Sequence, residues 1–533
     1  MTFVKRFSIW GFLAYLMVSL AAPTPVAAQS LGFKQAVAEA ASQDKDIAAF
    51  YNEIGYKPIW TSSSRADRKR REAFLTALEM APSHALPTER YNPEKVVAAM
   101  RAARSDRDRG ALEVELSRLF LQYARDVQTG ILNPRRIDEG LVREVPLRPR
   151  LATLAAFHKS SAQGFLKALP PKSPEYARLM KEKMQFQKLI GRGGWGDKVS
   201  AKSLKPGASN TSVLQLRNRL IAMGYLSRTP TTTYDTAMTA AVKAFQKDHG
   251  LFDDGVAGAR TMEAINTTAA TRLSQIVVAM ERERWINMPL GKRHVWVNLT
   301  DFHARIVDNG KITFQTRSVV GANVSERRTP EFSDVMDHMV INPTWNVPRS
   351  IATKEYLPLL KENPFAVSNL NIIDVRGQVV SRGDMDFSEY DETNFPYDMK
   401  EPPSQGNALG LVKFMFPNRY NIYLHDTPAK SLFGREKRAF SHGCVRLRDP
   451  FDFAYELLSK QERDPVGFFK ATLQTGRESF VTLKEPVRVH LVYRTAFTQP
   501  KGNVQFRGDV YGRDRAIWRA LSDAGVVLSA VRG

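Results

Sequence analysis

The single cysteine of this 533-residue chain, Cys444, stands in the run SHGCVR at residues 441–446. A thiol with an ordinary pKa of about 8.5 is only slightly ionised at neutral pH, so it needs a neighbouring imidazole or cation to become a nucleophile. A lone cysteine is usually a small buried apolar side chain. The glycine, the arginine and the two histidines near this one, at 442 and 425, favour nucleophilic catalysis instead.

Two histidines are candidates for the general base. His442 is two residues from Cys444, so in an extended loop both side chains lie on the same side. His425 lies 444 − 425 = 19 residues earlier, at the end of an alternating stretch, residues 421–425, that predicts a strand. Catalytic cysteine and histidine are usually neighbours in space and not in sequence, and a strand end holds geometry well. We therefore predict that His425 is the base.

The rest of the motif supplies support for the site. The backbone N–H groups of Gly443 and Cys444 are predicted to stabilise a tetrahedral oxyanion, and Gly443 allows a close approach of the chain. Ser441, His442 and Tyr423 are predicted to support the site from around it. A zinc site made by the cysteine and the two histidines is an alternative, because these are zinc ligands. No fourth ligand is apparent, and we predict neither a metal nor a cofactor.

The motif resembles the signature of the L,D-transpeptidases: a histidine, a spacer, then Ser-His-Gly-Cys, a hydrophobic residue, and Asn or Arg. Arg446 at the last position, together with the run HDTP at residues 425–428, resembles the large periplasmic YcbB-like branch. In that branch the position matching His442 can be serine, whereas the position matching His425 stays histidine. The resemblance therefore implies the same choice of base.

The resemblance also implies a reaction on peptidoglycan stem peptides. Cys444 would attack the carbonyl of the third residue of a donor tetrapeptide, D-Ala would leave, and the side-chain amine of an acceptor would resolve the thioester as a 3→3 cross-link. It further implies carbapenem acylation of the thiol. Four residues are expected to bind the substrate: Trp345, Asn346, Asn407 and Arg446. Trp345 could equally be a core residue.

Three other functions stay open at this point. An L,D-carboxypeptidase would use water in place of the acceptor amine, and an enzyme that attaches proteins to the wall would use another amine. A wall-binding structural protein with an inactive catalytic domain is the non-enzymatic alternative. The intact Cys444 and His425 argue against the last.

Export is indicated by residues 1–28, which combine Lys5 and Arg6, an apolar run at 7–22 and small residues at 26–28. An uncleaved anchor is the alternative, because the apolar run is near the upper length for a signal. Cleavage would leave a net charge of 22 − 2 = +20, which suits an anionic polymer of the cell envelope. We expect a periplasmic or envelope location and no nucleic-acid partner. The sequence does not identify envelope protein partners.

The first half of the chain predicts two helical domains of a multidomain α+β protein. Residues 29–195 resemble the scaffold region of the YcbB-like branch, and within them His84 is expected at a cap or on the surface. Residues 203–268 predict three helices and resemble a peptidoglycan-binding module, partly through the run AVKAFQ. A spacer that has lost binding is the alternative for this unit.

The second half predicts a mostly-β catalytic domain at residues 269–515, because the apolar pattern changes to a period of two. Its leading helix carries Glu281, Arg282 and Arg284, which we predict to form a solvated face. Residues 350–403 interrupt the strand pattern with an acidic, turn-rich sequence and are predicted to form a lid. Residues 516–533 are predicted to be a C-terminal helix or tail.

Overall fold

The computed structural model describes residues 31–528, so the predicted export signal lies outside the described residues. Helices occupy the first half and the sheet domain follows, which confirms the predicted multidomain α+β class. No helix in this described range is long and apolar enough to cross a membrane. The helices are α1 (Leu31–Ala41), α2 (Lys45–Glu53), α3 (Arg65–Glu79), α4 (Pro93–Ala102), α5 (Asp106–Thr129), α6 (Arg150–Lys159), α7 (Ala162–Ala168), α8 (Pro174–Gly191), α9 (Thr211–Ala222), α10 (Thr236–Asp248), α11 (Ala259–Asn266), α12 (Ala269–Trp285), α13 (Arg349–Ile351), α14 (Leu357–Glu362), α15 (Pro450–Leu458), α16 (Pro465–Gln474) and α17 (Arg513–Asp523).

The strands are β1 (Arg293–Asn298), β2 (His303–Asp308), β3 (Lys311–Gly321), β4 (Phe332–Ile341), β5 (Trp345–Asn346), β6 (Asn371–Ile373), β7 (Asp398–Glu401), β8 (Val412–Met415), β9 (Leu424–His425), β10 (Ala439–Ser441), β11 (Val445–Leu447), β12 (Ser479–Val492), β13 (Ala496–Phe497) and β14 (Gln505–Phe506).

The scaffold helices α1–α7 pack around one aromatic core. Trp60 lies at its centre and stacks on Phe157, and α5 runs through the core beginning at a capping box formed by Ser105 and Asp108. Buried Glu113 on α5 accepts hydrogen bonds from the backbone N–H groups of residues 59–61, which ties the loop before α3 to this helix. Burial raises the pKa of the Glu113 carboxyl, and these donors offset part of that cost.

The three-helix module is α9–α11, with a core of its own. Each helix contributes apolar side chains at helical spacing, such as Leu216, Phe245 and Ile265, and all three are fully buried. Two of the helices begin at Asn210 and Asp235, whose side chains accept hydrogen bonds from the first turn. The module is therefore a small folded unit joined to its neighbours at both ends.

The catalytic domain is a nine-stranded sheet in the order β10-β3-β11-β9-β8-β4-β12-β1-β2, and β3 also pairs with β2. The extra pairing closes the sheet on itself. Its interior is apolar, and α15 and α16 cover part of it with Phe453 and Phe469. β9 and β11 run parallel in the middle of the sheet, so they are held by neighbours on both edges.

Helix α12 corrects the prediction of a solvated face. Glu281, Arg282 and Arg284 are all buried, with 0%, 3% and 1% of their surfaces exposed. The helix packs against α8 and α17 in a core shared by the scaffold and the C-terminal segment. A helix that is enclosed on all sides has no solvated face, and its charges must find buried partners.

His84 is a second correction. It is buried in the scaffold, and its Nδ1 lies 3.1 Å from the hydroxyl of Tyr176. Burial, with Arg284 and Lys183 nearby, lowers its pKa to about 4, so the ring is neutral at neutral pH. It is neither a helix cap nor a surface residue.

The predicted lid is an ordered subdomain with its own small sheet, β5-β7-β6. It contains α13, a π-helical turn at Ala352–Tyr356, and α14. Its apolar core includes Trp345, Leu360 and Phe395. The segment is therefore folded against the catalytic domain, and its movement over a substrate stays a prediction.

Candidate active site

The pairing of β9 with β11 brings four polar side chains onto one face of the sheet. Arg446 lies opposite His425 in the parallel register, and Cys444 precedes β11 opposite Tyr423. Directly opposite residues on adjacent strands share a face, and alternate residues on a strand share that face as well. The rings of Tyr423 and His425 lie 5.6 Å apart. Leu424 and Val445 point into the apolar core on the other side.

Cys444 is half-buried at the end of the SHGC run. Its Sγ lies 3.4 Å from the carbonyl oxygen of Asn421, to which the thiol donates. Burial raises the pKa of the thiol to about 11, while hydrogen bonds from Tyr423 and the charge of Arg446 act in the opposite direction. The resting nucleophile is therefore a neutral thiol whose hydrogen is directed to a backbone carbonyl.

His425 is buried and neutral. Burial lowers its pKa to about 3, and Arg446 and Lys413 add to the effect by repelling a second positive charge. Lys413 lies opposite His425 on β8. The Nδ1 atom is buried and has no hydrogen-bond partner among residues 31–528. Neutral imidazole with a free ring nitrogen is the form that can accept a proton.

The turn before Cys444 is fixed by hydrogen bonds. Gly443 has φ = 120°, which favours glycine, and its carbonyl accepts a bond of 2.7 Å from Thr329 Oγ1. Ser441 Oγ donates to the Cys444 carbonyl at 2.5 Å and accepts from the Gly443 N–H at 3.2 Å. The Gly443 N–H is thus engaged, which corrects its predicted role as an oxyanion donor. The Cys444 N–H has no such bond within the described residues.

His442 turns away from the sheet face and contacts the lid. Its Nε2 lies 2.7 Å from Oε1 of Glu355, which is in the π-helical turn. The same carboxylate oxygen accepts from Arg327 at 2.6 Å. A π-helical turn within a helix is frequently found at functional sites. His442 therefore links the catalytic loop to the lid.

The four predicted substrate-binding residues have different environments. Arg446 is on the catalytic face, and its buried Nε has no partner among the residues described. Asn346 is exposed on β5, at the edge of the lid. Trp345 is 8% exposed and belongs to the lid core. Asn407 is fully buried, and its amide donates to the carbonyls of residues 343, 401 and 402, so it fixes this loop and has no amide free for a ligand.

Some site residues have no signature in the sequence. Asn421 adopts φ = 52° to present its carbonyl to the thiol, and Lys413, Thr329 and Glu355 reach the site from strands or loops far along the chain. Within residues 31–528 no group of three or more His, Cys, Asp or Glu side chains is arranged to hold a metal ion.

Comparison with known proteins assigns three regions. Residues 45–182 match the family model described as "Scaffold domain", residues 209–265 match "Putative peptidoglycan binding domain", and residues 292–467 match "L,D-transpeptidase catalytic domain". A curated relative from Haemophilus influenzae, "Putative L,D-transpeptidase", is 32% identical over 259 residues. That match covers 48% of this chain and 51% of the relative, about half of each.

A solved L,D-transpeptidase structure from Xylanimonas cellulosilytica also matches. It is 16% identical, the match covers 55% of this chain and 100% of that chain, and the TM-score is 0.16. The assignment therefore rests on the sequence matches and the site they contain. Residues 292–467 thus carry the match to the L,D-transpeptidase catalytic domain, in a chain that also matches the scaffold and peptidoglycan-binding family models.

Proposed function

We propose that this chain is a cysteine acyltransferase of the cell envelope that forms 3→3 cross-links between peptidoglycan stem peptides. The observation that carries the proposal is the shared sheet face of Cys444, His425, Tyr423 and Arg446. It combines a thiol, a neutral base with a free nitrogen, and a cation. This set suits acyl transfer through a thioester.

The first half-reaction forms the acyl-enzyme. The thiol leaves Asn421 and gives its proton to Nδ1 of His425 as sulfur bonds to the donor carbonyl carbon. The developing oxyanion faces the Cys444 N–H, a donor that contributes about 3 kcal/mol in comparable sites. The C–N bond then breaks, and the D-Ala amine leaves with the proton from His425.

The second half-reaction transfers the acyl group. The acceptor amine attacks the thioester carbonyl and gives one proton to His425. The C–S bond breaks, and the thiolate recovers that proton, which regenerates the neutral resting pair. Because the leaving and attacking groups are both amines, the energy of one amide is conserved in the other and no ATP is needed.

Arg446 and Tyr423 assist in two ways. Both favour the thiolate, since the cation and the Tyr423 hydrogen bonds lower the pKa of Cys444 against the effect of burial. The unpartnered Nε of Arg446 is also available to a substrate carboxylate. A donor stem that carries a carboxylate would complete this buried polar group.

The location and the inhibitor class follow from the same proposal. The substrate lies outside the cytoplasmic membrane, so we place the protein in the periplasm or envelope, exported by residues 1–28. A carbapenem would acylate Cys444 as the donor peptide does. The acceptor amine decides between cross-linking and the alternatives of trimming or protein attachment.

The test is mass spectrometry of wall fragments after incubation of sacculi with the protein and with its Cys444→Ala variant. We expect 3→3 linked dimers that the variant does not make. Tripeptides without dimers would contradict cross-linking and favour a carboxypeptidase. Appreciable dimer formation by the alanine variant would contradict the proposed cysteine mechanism.

A further inference from the structure

The peptidoglycan-binding module is docked on the catalytic domain at two separate places. At the first, the Asp248 carboxylate accepts from the side-chain amide of Gln505 at 2.6 Å, and Arg507 donates to the Asp248 carbonyl at 2.9 Å. At the second, Glu436 accepts from Arg260 at 2.5 Å and from the N–H of Phe252 at 3.3 Å. The two contacts leave space between the domains.

The second contact lies on the segment that connects the two catalytic residues. Glu436 is in the 426–438 loop, which leaves the sheet after His425 and returns to it just before the SHGC run. Two residues fix the loop to the catalytic domain. Phe433 is buried, and Arg438 donates hydrogen bonds to the carbonyls of residues 302 and 318. Its tip, residues 434–437, carries Glu436, which contacts the module.

A groove runs between the module and this loop tip. Its inner part is a cavity of about 480 Å³, with walls that include Glu263 of the module and Phe302 of the catalytic domain. Its outer part is an open depression of about 700 Å³ that includes Phe252, Ser431 and Arg435. Both parts share Arg260, Glu436 and Lys437 in their walls, so they lie next to each other at the Arg260–Glu436 ion pair. We call this space the interdomain groove.

The chemistry of the groove favours an anionic ligand with an apolar or sugar face. Arg435 and Lys437 are exposed, and neither side chain has an ion-pair or hydrogen-bond partner in the described part of the chain. Glu263 is the one exposed carboxylate in the walls with no such partner there, so the unpaired cations outnumber it. Phe252 is 51% exposed, so its ring is accessible to a ligand in the groove. Carboxylates bind unpaired cations, and an aromatic ring offers a flat contact surface.

We propose that the interdomain groove binds a carboxylate-bearing segment of the peptidoglycan strand, away from the nucleophile. This inference rests on the proposed function for its choice of polymer. The module supplies Phe252 and Arg260, and the catalytic domain supplies Arg435 and Lys437, so neither domain holds the complete site. A bound strand would contact the same loop that joins His425 to Cys444.

The test measures co-sedimentation of the full chain with purified wall sacculi at physiological salt. The double variant Arg435→Glu, Lys437→Glu should lose affinity by about tenfold or more, because two attractive charges become repulsive. The matched control is Lys460→Glu, Lys470→Glu, which changes net charge equally at two exposed lysines outside the groove. The control should bind as the unmodified protein does.

A second variant separates the groove from a general effect of charge. Phe252→Ala changes no charge and should weaken sacculus binding by about threefold or more. Equal losses in the groove variant and the lysine control would overturn the proposal in favour of bulk attraction, and unchanged binding in both groove variants would overturn it outright. Displacement of sacculi by duplex DNA as readily as by soluble wall fragments would also contradict it.

Acylation of Cys444 by a carbapenem, measured by intact-protein mass spectrometry, tests the catalytic site independently of sacculus binding. If the unmodified protein binds sacculi but is not acylated, that result would contradict the proposed function and not the proposal for the groove. If the double variant is misfolded by circular dichroism, the Phe252→Ala result decides the question.

Discussion

Two buried polar clusters of this chain differ in how completely their groups are paired. On α12, Arg282 bonds to Glu331 and Asp514, and Arg284 bonds to Glu281. On the catalytic face, buried nitrogen atoms of His425 and Arg446 have no partner within residues 31–528. Native proteins pair nearly all buried polar groups, so an exception needs an explanation. The two α12 arginines are thus paired within the protein, although Nη2 of Arg513, beside the same Glu331, is buried without a partner in residues 31–528. On the catalytic face we propose that a bound substrate supplies the missing partners.

The difference has a physical consequence for stability and for function. Arg284 ties α12 to the scaffold at His84 and Tyr176, and Arg282 ties it to Asp514 of α17. Removal of a partner from these pairs leaves a buried charge unpaired. Unpaired buried groups cost free energy in the resting protein, and we propose that substrate binding recovers it. The α12 cluster holds neighbouring parts of the chain together, and we propose that the catalytic cluster binds and activates the substrate.

The largest expected effect comes from breaking the α12 cluster. Arg282→Ala leaves the carboxylates of Glu331 and Asp514 buried without their cation, so we expect the free energy of unfolding to fall by about 3–5 kcal/mol. Denaturant unfolding measures it. As a control, Lys95→Ala removes the exposed pair with Glu89 and should cost less than about 1 kcal/mol. Similar small losses in both variants would show that the α12 cluster is not essential.

The next effect separates the two histidines. His425→Ala should slow acylation of Cys444 by about 100-fold or more, the usual contribution of a general base. His442→Ser should keep a substantial fraction of the rate, because His442 contacts Glu355 of the lid and not the catalytic face. Stopped-flow acylation by a carbapenem compares them. A larger loss in His442→Ser than in His425→Ala would reverse the two roles.

The histidine roles show what the sequence can and cannot predict. The alternating pattern predicted a strand that ends at His425, and β9 ends there. The pairing of β9 with β11, which sets Arg446 opposite His425, was not predicted, because strand pairing is not local information. The burial of Arg282 was not predictable, since its partner Asp514 is 232 residues away and helical periodicity does not show what surrounds a helix. Asn407 was misassigned for a related reason, because its carbonyl partners come from loop turns without a sequence pattern.

A third prediction concerns the ionisation of the nucleophile. Burial raises the pKa of Cys444 to about 11, so the thiolate fraction should grow about tenfold for each pH unit through pH 7–9. The rate of alkylation by iodoacetamide in the substrate-free protein should follow it without a plateau. A plateau beginning near pH 6–7 would instead indicate a resting thiolate–imidazolium pair. Cys444 and His425 would then form an ion pair in the resting protein, as the arginines of α12 do with their carboxylates.

The smallest effect concerns the lid. Glu355→Gln weakens the contacts of residue 355 with His442 and Arg327. Because all three groups are partly exposed, each contact contributes less than about 1 kcal/mol, and the turnover rate should fall by about threefold. Turnover of stem peptides should fall more than acylation by a carbapenem, because the smaller drug depends less on lid closure. Glu362→Gln, at an exposed site on α14, is the control. An equal fall for both reagents would assign Glu355 to folding.

The central claim is that Cys444 forms a covalent acyl-enzyme on a catalytic face that substrate completes. Intact-protein mass spectrometry after brief exposure to a tetrapeptide donor, followed by peptide mapping, tests it most directly. The account predicts one added acyl group, mapped to Cys444, that disappears when an acceptor amine is supplied, and no adduct in Cys444→Ala. An adduct on another residue, or dimer formation without any adduct at Cys444, would contradict it.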